Sequence, residues 1–294
     1  MFPLFTGSFV ALVTPFKKGK LDEPALRRLV SLHLKSGTHG LVPCGSTGEG
    51  ATLTPEEFLQ VIRIVVEEAT GKIPVVAGIG TNATWKSIEM AEKVAALKVD
   101  GLLSIVPYYN KPTQEGIFQH FKALAGSTKL PIIIYNIPGR TGVNMLPPTL
   151  ARLAKECKNI VGVKEASGNL DQVSEILGLV SEDFSLLSGD DSLTLPMLSV
   201  GARGVISVVA NICPKEVAEM VTSFLQGDKN HALQIHQKLF GLTKTLFVET
   251  NPIPLKTAMG MLNHCSSELR LPLTPLSDNN RKVLELALRR YGLL

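Results

Sequence analysis

The chain has 294 residues, with 30 Lys plus Arg against 26 Asp plus Glu for a net charge of +4, and it is 45% hydrophobic and 5% aromatic. Cations and acids are interspersed rather than striped, and few rings are available for stacking, so the footprint of a nucleic-acid binder is missing. A chain this long and this apolar can bury about three quarters of its unfolded surface, which excludes disorder. Short β-branched apolar runs recur at 7–13, 40–45, 75–80, 101–107, 131–137, 160–165, 185–190 and 204–209. Their mean spacing of about 28 residues approaches the roughly 30 of a strand plus a crossover helix.

The intervals between these runs carry helix signals. Asp22 and Pro24 open a helix through Leu26, Leu29, Val30 and Leu34 that stops at Gly37. Thr54-Pro55-Glu56-Glu57 supplies an N-cap, a first-turn proline and a capping box, and Phe58, Val61, Ile62, Val65 and Ala69 then line one face. The strand runs are nearly all apolar, as parallel strands buried on both faces must be. No composition break splits the chain, so the pattern predicts an α/β fold of the (β/α)8 (TIM) barrel type over 1–225. Past residue 211 the pattern is helical, at 214–226, 231–247, 254–262 and 279–291. The first of these helices closes the barrel, and residues 226–294 form a C-terminal helical extension.

A barrel of this kind carries its chemistry at the C-terminal ends of its strands. The polar residues there are Gly45-Ser46-Thr47-Gly48-Glu49-Gly50, Tyr108-Tyr109-Asn110, Tyr135-Asn136 with Arg140, Lys164-Glu165 and Gly189-Asp190-Asp191. Lys164 is the most informative, because Val161-Gly162-Val163-Lys164 ends a buried apolar strand on an ammonium. It is either paired with Glu165 or another carboxylate, or it is an amine nucleophile. An ordinary lysine needs about 4.6 kcal/mol to lose its proton at pH 7, a cost that desolvation reduces. Tyr135, Tyr109, Ser46 and Thr47 could relay protons for such a nucleophile. The glycines around Ser46 permit a tight loop near a carboxylate, and Arg140 could grip a second carboxylate through two parallel hydrogen bonds.

Gly78-x-Gly80-x-x-Ala83 formally matches a dinucleotide fingerprint, but it lies in the third unit and leaves Lys164, Tyr135 and Arg140 unexplained, so it is read as a strand-end turn. The histidines lack H-E-x-x-H spacing, and Asp190-Asp191 resembles a helix cap more than a metal site, so no metal is expected. The scattered Cys44, Cys157, Cys213 and Cys265 offer neither a disulfide framework nor a thiolate zinc site. Residues 1–7 lack a signal-peptide pattern and no run reaches about 18 uncharged apolar residues, so neither export nor a membrane partner is expected and the cytoplasm fits.

The sequence resembles the dihydrodipicolinate synthase family, within the pyruvate-dependent class I aldolases that include N-acetylneuraminate lyase. The resemblance runs nearly end to end. It rests on Gly45-Ser-Thr-Gly-Glu49, Pro107-Tyr-Tyr-Asn110, Tyr135-Asn-Ile-Pro-Gly-Arg-Thr141, Gly162-Val-Lys-Glu-Ala166, Ser188-Gly-Asp-Asp191, Gly204-Val-Ile-Ser207 and Glu249-Thr-Asn-Pro-Ile-Pro254. It implies Lys164 as the Schiff-base lysine, Tyr135 as proton donor and acceptor, and Ser46 and Tyr109 as proton relay, with Tyr109 serving a neighbouring subunit. Thr47, Ile206, Arg140, Gly189 and Asp190 fall at substrate-binding positions.

The implied reaction is a lyase-type condensation of pyruvate with L-aspartate-4-semialdehyde towards diaminopimelate and lysine. It needs no cofactor, and the implied assembly is a homotetramer built as a dimer of dimers. Most synthases have Thr where this chain has Ser46, and the Ser-Thr pair is closer to the neuraminate lyases. A 2-keto-3-deoxy sugar acid or sialic acid aldolase is therefore the alternative, and a non-catalytic barrel a third. Arg140 favours the synthase, whose second substrate offers a carboxylate. Positions where lysine-inhibited relatives carry polar contacts here read Gly50, Pro55, Phe58 and Lys86, although Asn82 and Tyr108 remain, so lysine inhibition is expected to be weak or absent.

Overall fold

The computed structural model describes residues 4–294. Eight strands, β1 (Gly7–Ala11), β2 (Gly40–Val42), β3 (Val76–Ile79), β4 (Gly101–Ile105), β5 (Ile132–Asn136), β6 (Ile160–Glu165), β7 (Ser185–Ser188) and β8 (Gly204–Ser207), form one parallel sheet in the order β2-β1-β8-β7-β6-β5-β4-β3. The remaining seam closes through a parallel bridge between Leu41 and Val75 and a 2.8 Å hydrogen bond from the Gly78 amide to the Pro43 carbonyl. The result is the expected TIM barrel.

All eight strands fall inside the apolar runs, and most are shorter than their runs. Most of the surplus residues follow their strands, in buried or half-buried loops at the barrel mouth. After β2, Pro43 has no amide to donate and Cys44 turns to a left-handed φ of 59°, so pairing stops although the chain stays buried. A two-stranded hairpin, Phe16–Lys17 against Lys20–Leu21, was not anticipated, because two-residue strands leave no readable alternation.

The crossover helices are α1 (Glu23–Lys35), α2 (Pro55–Ala69), α3 (Thr84–Ala95), α4 (Gln114–Ser127), α5 (Pro147–Glu156), α6 (Leu170–Leu179) and a short α7 (Thr194–Ser199), and α8 (Pro214–Leu225) follows β8. Asp22 caps α1 by accepting from the Ala25 amide at 3.1 Å, and Thr54 and Glu57 form the capping box of α2. Side chains of alternate strand residues fill the barrel axis: Phe9, Ala11, Val42, Val76, Leu103, Ile133, Tyr135, Leu187 and Ile206. A second, larger apolar layer lies between the strands and the helices. The chain continues into α9 (Lys229–Thr245), α10 (Ile253–Met261) and α11 (Asp278–Tyr291). Every residue of α10 from Ile253 to Met259 is buried, so this helix is inserted into the protein rather than laid on it. No helix among the described residues is long and apolar enough to cross a membrane.

Candidate active site

Strand register decides which side chains enter the barrel. Tyr135 on β5 pairs with Lys164 on β6, so the two point the same way into the interior. The Lys164 ammonium lies 4.3 Å from the centroid of the Tyr135 ring. Its neighbour Glu165 faces the other way and is already occupied. Glu165 accepts from Asn136 Nδ2 at 3.0 Å, Gln172 Nε2 at 3.2 Å and the Ser167 amide at 2.6 Å. The pairing of Lys164 with Glu165 is therefore absent, and Lys164 has no ion-pair partner among the described residues.

Electrostatics follow from that isolation. Burial pulls the Lys164 pKa from 10.5 down to about 8; the Asp191 carboxylate opposes this by attraction, and Arg140 adds a small repulsion. That fall makes the neutral amine easier to reach at pH 7 than in a solvent-exposed lysine. Burial pushes the Tyr135 phenol up to about 12, with Arg140 lowering it and Asp190 raising it, so the phenol holds its proton at neutral pH. An amine that gives up its proton more readily than an ordinary lysine thus stands against a proton-bearing phenol. Asp191 accepts from Ser207 Oγ at 2.5 Å and from the Val208 amide at 2.8 Å, which holds its charge at a fixed place in the barrel. Gly189 makes room for the lysine: a Cβ there would sit 3.1 Å from Lys164 Cε and 2.7 Å from the Ala166 side chain.

Tyr135 and Ser46 line one cavity of about 600 Å³, together with Gly45, Gly50, Pro55, Phe58, Lys86 and Tyr108. No direct hydrogen bond joins Tyr135 to Ser46 among the described residues. The loop that carries Ser46 and Thr47 is shaped by its glycines. A Cβ on Gly50 would collide with the Cys44 carbonyl oxygen, and Gly50 N donates to Gly45 O at 3.2 Å to close the turn. Thr47 is buried and reaches Arg140 through Asn251, described below.

The remaining expected positions separate. Ile206 is buried on β8, opposite Phe9 of β1. Asp190 accepts from Ser192 N at 2.9 Å and Ser192 Oγ at 2.8 Å, capping the turn that follows β7. Tyr109 is not part of this cavity: it is 87% exposed with a φ of 73°, and its amide is fixed to Thr141 O at 3.2 Å. Among the described residues, no group of three or more His, Cys, Asp or Glu is placed to hold a metal ion.

The C-terminal helices contribute contacts to the site that no motif in the sequence marks. Lys256 of α10 is fully buried and donates to Glu49 Oε1 at 2.6 Å and Thr14 O at 2.9 Å, with its ammonium 4.2 Å from the Phe16 ring centroid. Glu49 Oε2 accepts from the Arg270 amide at 3.1 Å, and the Arg270 guanidinium grips Glu57 of α2 at 2.5 and 2.6 Å. Glu49 has a left-handed φ of 51°, a conformation that needs external support in a non-glycine residue. The loop bearing both hydroxyls is therefore buckled down from the far end of the chain. The available signal was a lysine in the middle of the otherwise apolar Ile253–Met261 segment, where a buried charge requires a partner.

The likeness to known proteins runs nearly the length of the chain. Residues 4–290 match the model of the dihydrodipicolinate synthetase family. The 4-hydroxy-tetrahydrodipicolinate synthase of Geotalea uraniireducens is 52% identical over 291 residues, covering 99% of this chain and 100% of the relative. The crystal structure of dihydrodipicolinate synthase from Aquifex aeolicus superposes with a TM-score of 0.97 at 50% identity, covering 98% of this chain and 99% of that one. The chloride-inhibited dihydrodipicolinate synthase from Acinetobacter baumannii, complexed with pyruvate, superposes at 0.96 with 41% identity over 98% of this chain and 99% of that one. With its eight-stranded barrel, its buried strand-end lysine and this full-length likeness, the chain belongs to the dihydrodipicolinate synthetase family.

Proposed function

We propose that the protein condenses pyruvate with L-aspartate-4-semialdehyde to 4-hydroxy-tetrahydrodipicolinate through a Schiff base on Lys164. The observation that carries this reading is a buried lysine at a strand end, without an ion pair among the described residues and with a pKa brought down to about 8, packed on the Tyr135 ring. The neutral Lys164 amine attacks the keto carbon of pyruvate. Tyr135, which bears a proton at neutral pH, protonates the departing carbinolamine hydroxyl, and loss of water leaves an iminium. The Tyr135 phenolate left by that step takes a proton from the methyl carbon to give the enamine, whose carbon attacks the semialdehyde aldehyde as Tyr135 returns the proton to the aldehyde oxygen. The amino group of the semialdehyde then adds to the iminium carbon, closes the ring and expels the Lys164 amine. Thr47 and Ile206 face the pyruvate carboxylate, Ser46 relays protons to Tyr135, and Arg140 receives the second carboxylate. Gly189 and Asp190 bound the substrate space on the β7 side. No cofactor enters this scheme.

Tyr109 supports a shared site. An exposed aromatic side chain, held by a fixed backbone in a left-handed conformation, is suited to reach into a second copy of the chain and extend the relay. The assembly proposed on this basis is a homotetramer built as a dimer of dimers, working in the cytoplasm, with residues 1–225 as catalytic barrel and 226–294 as helical extension.

Arg140 argues for the semialdehyde over sugar-derived acceptors, which offer hydroxyls at that end. Turnover of pyruvate with aspartate semialdehyde, compared with N-acetylmannosamine and glyceraldehyde, tests the choice. We expect turnover with the semialdehyde, and Arg140→Ala is expected to raise its KM by roughly 10-fold or more, the loss of a charge-assisted hydrogen bond. A preference for N-acetylmannosamine, or unchanged semialdehyde kinetics in the variant, would contradict it.

A further inference from the structure

Thr47 and Arg140 come from different strand ends. What joins them is Asn251, which arrives from the turn before α10. Its backbone carbonyl accepts from Arg140 Nη2 at 3.0 Å, and its side-chain Nδ2 donates to Thr47 Oγ1 at 2.9 Å. The residue is 6% exposed, and its Oδ1 is buried with no hydrogen-bond partner among the described residues. Buried amides normally satisfy both ends, and here only the donor end is engaged, on Thr47.

The bond to Thr47 has a direction with chemical consequences. A hydroxyl has one hydrogen, and when its oxygen accepts from Asn251 that hydrogen remains free to donate elsewhere. A carboxylate only accepts. The asparagine therefore presents Thr47 to an anion with the right polarity, and the same residue holds the guanidinium that faces the other anion.

We infer that Asn251 is a positioning residue that fixes Thr47 as a hydrogen-bond donor and anchors Arg140, so that the C-terminal extension sets the geometry of both carboxylate sites. This rests on the proposal that those two residues receive the carboxylates of pyruvate and the semialdehyde. It adds a role for a residue that touches neither reacting carbon.

Borohydride trapping of the purified protein over a range of pyruvate concentrations tests the inference without the second substrate. Asn251→Asp keeps the shape and the backbone carbonyl but turns the donor into an acceptor, so the Thr47 hydrogen is drawn away from the substrate. The half-saturating pyruvate concentration is expected to rise by roughly 10-fold or more, with the maximal extent of trapping retained. Asn251→Ala, which removes the donor without adding charge, is expected to give a smaller rise in the wild-type background and none in a Thr47→Val background. An unchanged half-saturation in Asn251→Asp, or an equal loss from Asn251→Ala with and without the Thr47 hydroxyl, overturns the inference. Failure of the wild type to trap pyruvate at all would instead overturn the Schiff-base proposal beneath it.

Discussion

Replacing Lys256 with methionine separates the work of the extension from that of the barrel. Methionine keeps most of the aliphatic stem and removes the ammonium, leaving the Glu49 carboxylate fully buried with the Arg270 amide at 3.1 Å as its one remaining partner among the described residues, and Thr14 O without its donor. Breaking one side of a buried pair costs about 3–5 kcal/mol, because the surviving charge stays out of water. An exposed pair such as Arg289 with Glu285, whose side chains are 60% and 44% exposed, is worth at most about 0.5 kcal/mol on the same scale. Urea unfolding followed by far-ultraviolet circular dichroism measures the difference. Adding Glu49→Gln to Lys256→Met removes the stranded charge, so the double variant is expected to regain at least about 2 kcal/mol over the single one. Because Glu49 shares a loop with Ser46 and Thr47, kcat/KM for pyruvate should fall in Lys256→Met even at temperatures where it is folded. A loss below about 1 kcal/mol in Lys256→Met, or a double variant no better than the single one, would refute the assignment of this pair as the clamp of the loop.

The charges in and around the cavity set three further outcomes. A Lys164 pKa brought down to about 8 means that Schiff-base formation speeds up as pH rises towards 8 and levels off above it; initial trapping rates between pH 6 and 10 read this directly, and a flat profile contradicts it. Asp191→Asn removes the attraction that holds the pKa up, so the inflection should move to lower pH. The cavity that includes Gly50, Pro55 and Phe58 is bordered by Lys86 and Lys93 against Glu89 alone, so an added lysine side chain meets a cationic rim. Calorimetric titration with lysine is expected to show weak or no binding, and micromolar affinity would overturn that.

The barrel was legible because parallel strands covered on both faces read as uninterrupted apolar runs at the spacing of a β/α unit. Their ends were overrun for the same reason. Val106 and Pro107 are as buried as the strand before them, so apolarity alone does not mark where pairing stops. Lys164, Tyr135 and Arg140 stood out because each is chemically conspicuous at the end of an apolar run. Asn251 and Lys256 did not: they act on Thr47 and Glu49 from 204 and 207 residues away, through a segment that shares no periodicity with the barrel. Glu165 shows the opposite case, an acid adjacent in sequence that strand alternation turns to the other face, where Asn136 and Gln172 hold it.

Sodium borohydride reduction in the presence of pyruvate, followed by peptide mass mapping, reads the covalent role of Lys164. One reduced pyruvyl adduct per chain is expected, located on Lys164 and absent in Lys164→Ala. Trapping on another lysine, or no adduct at saturating pyruvate, would contradict it.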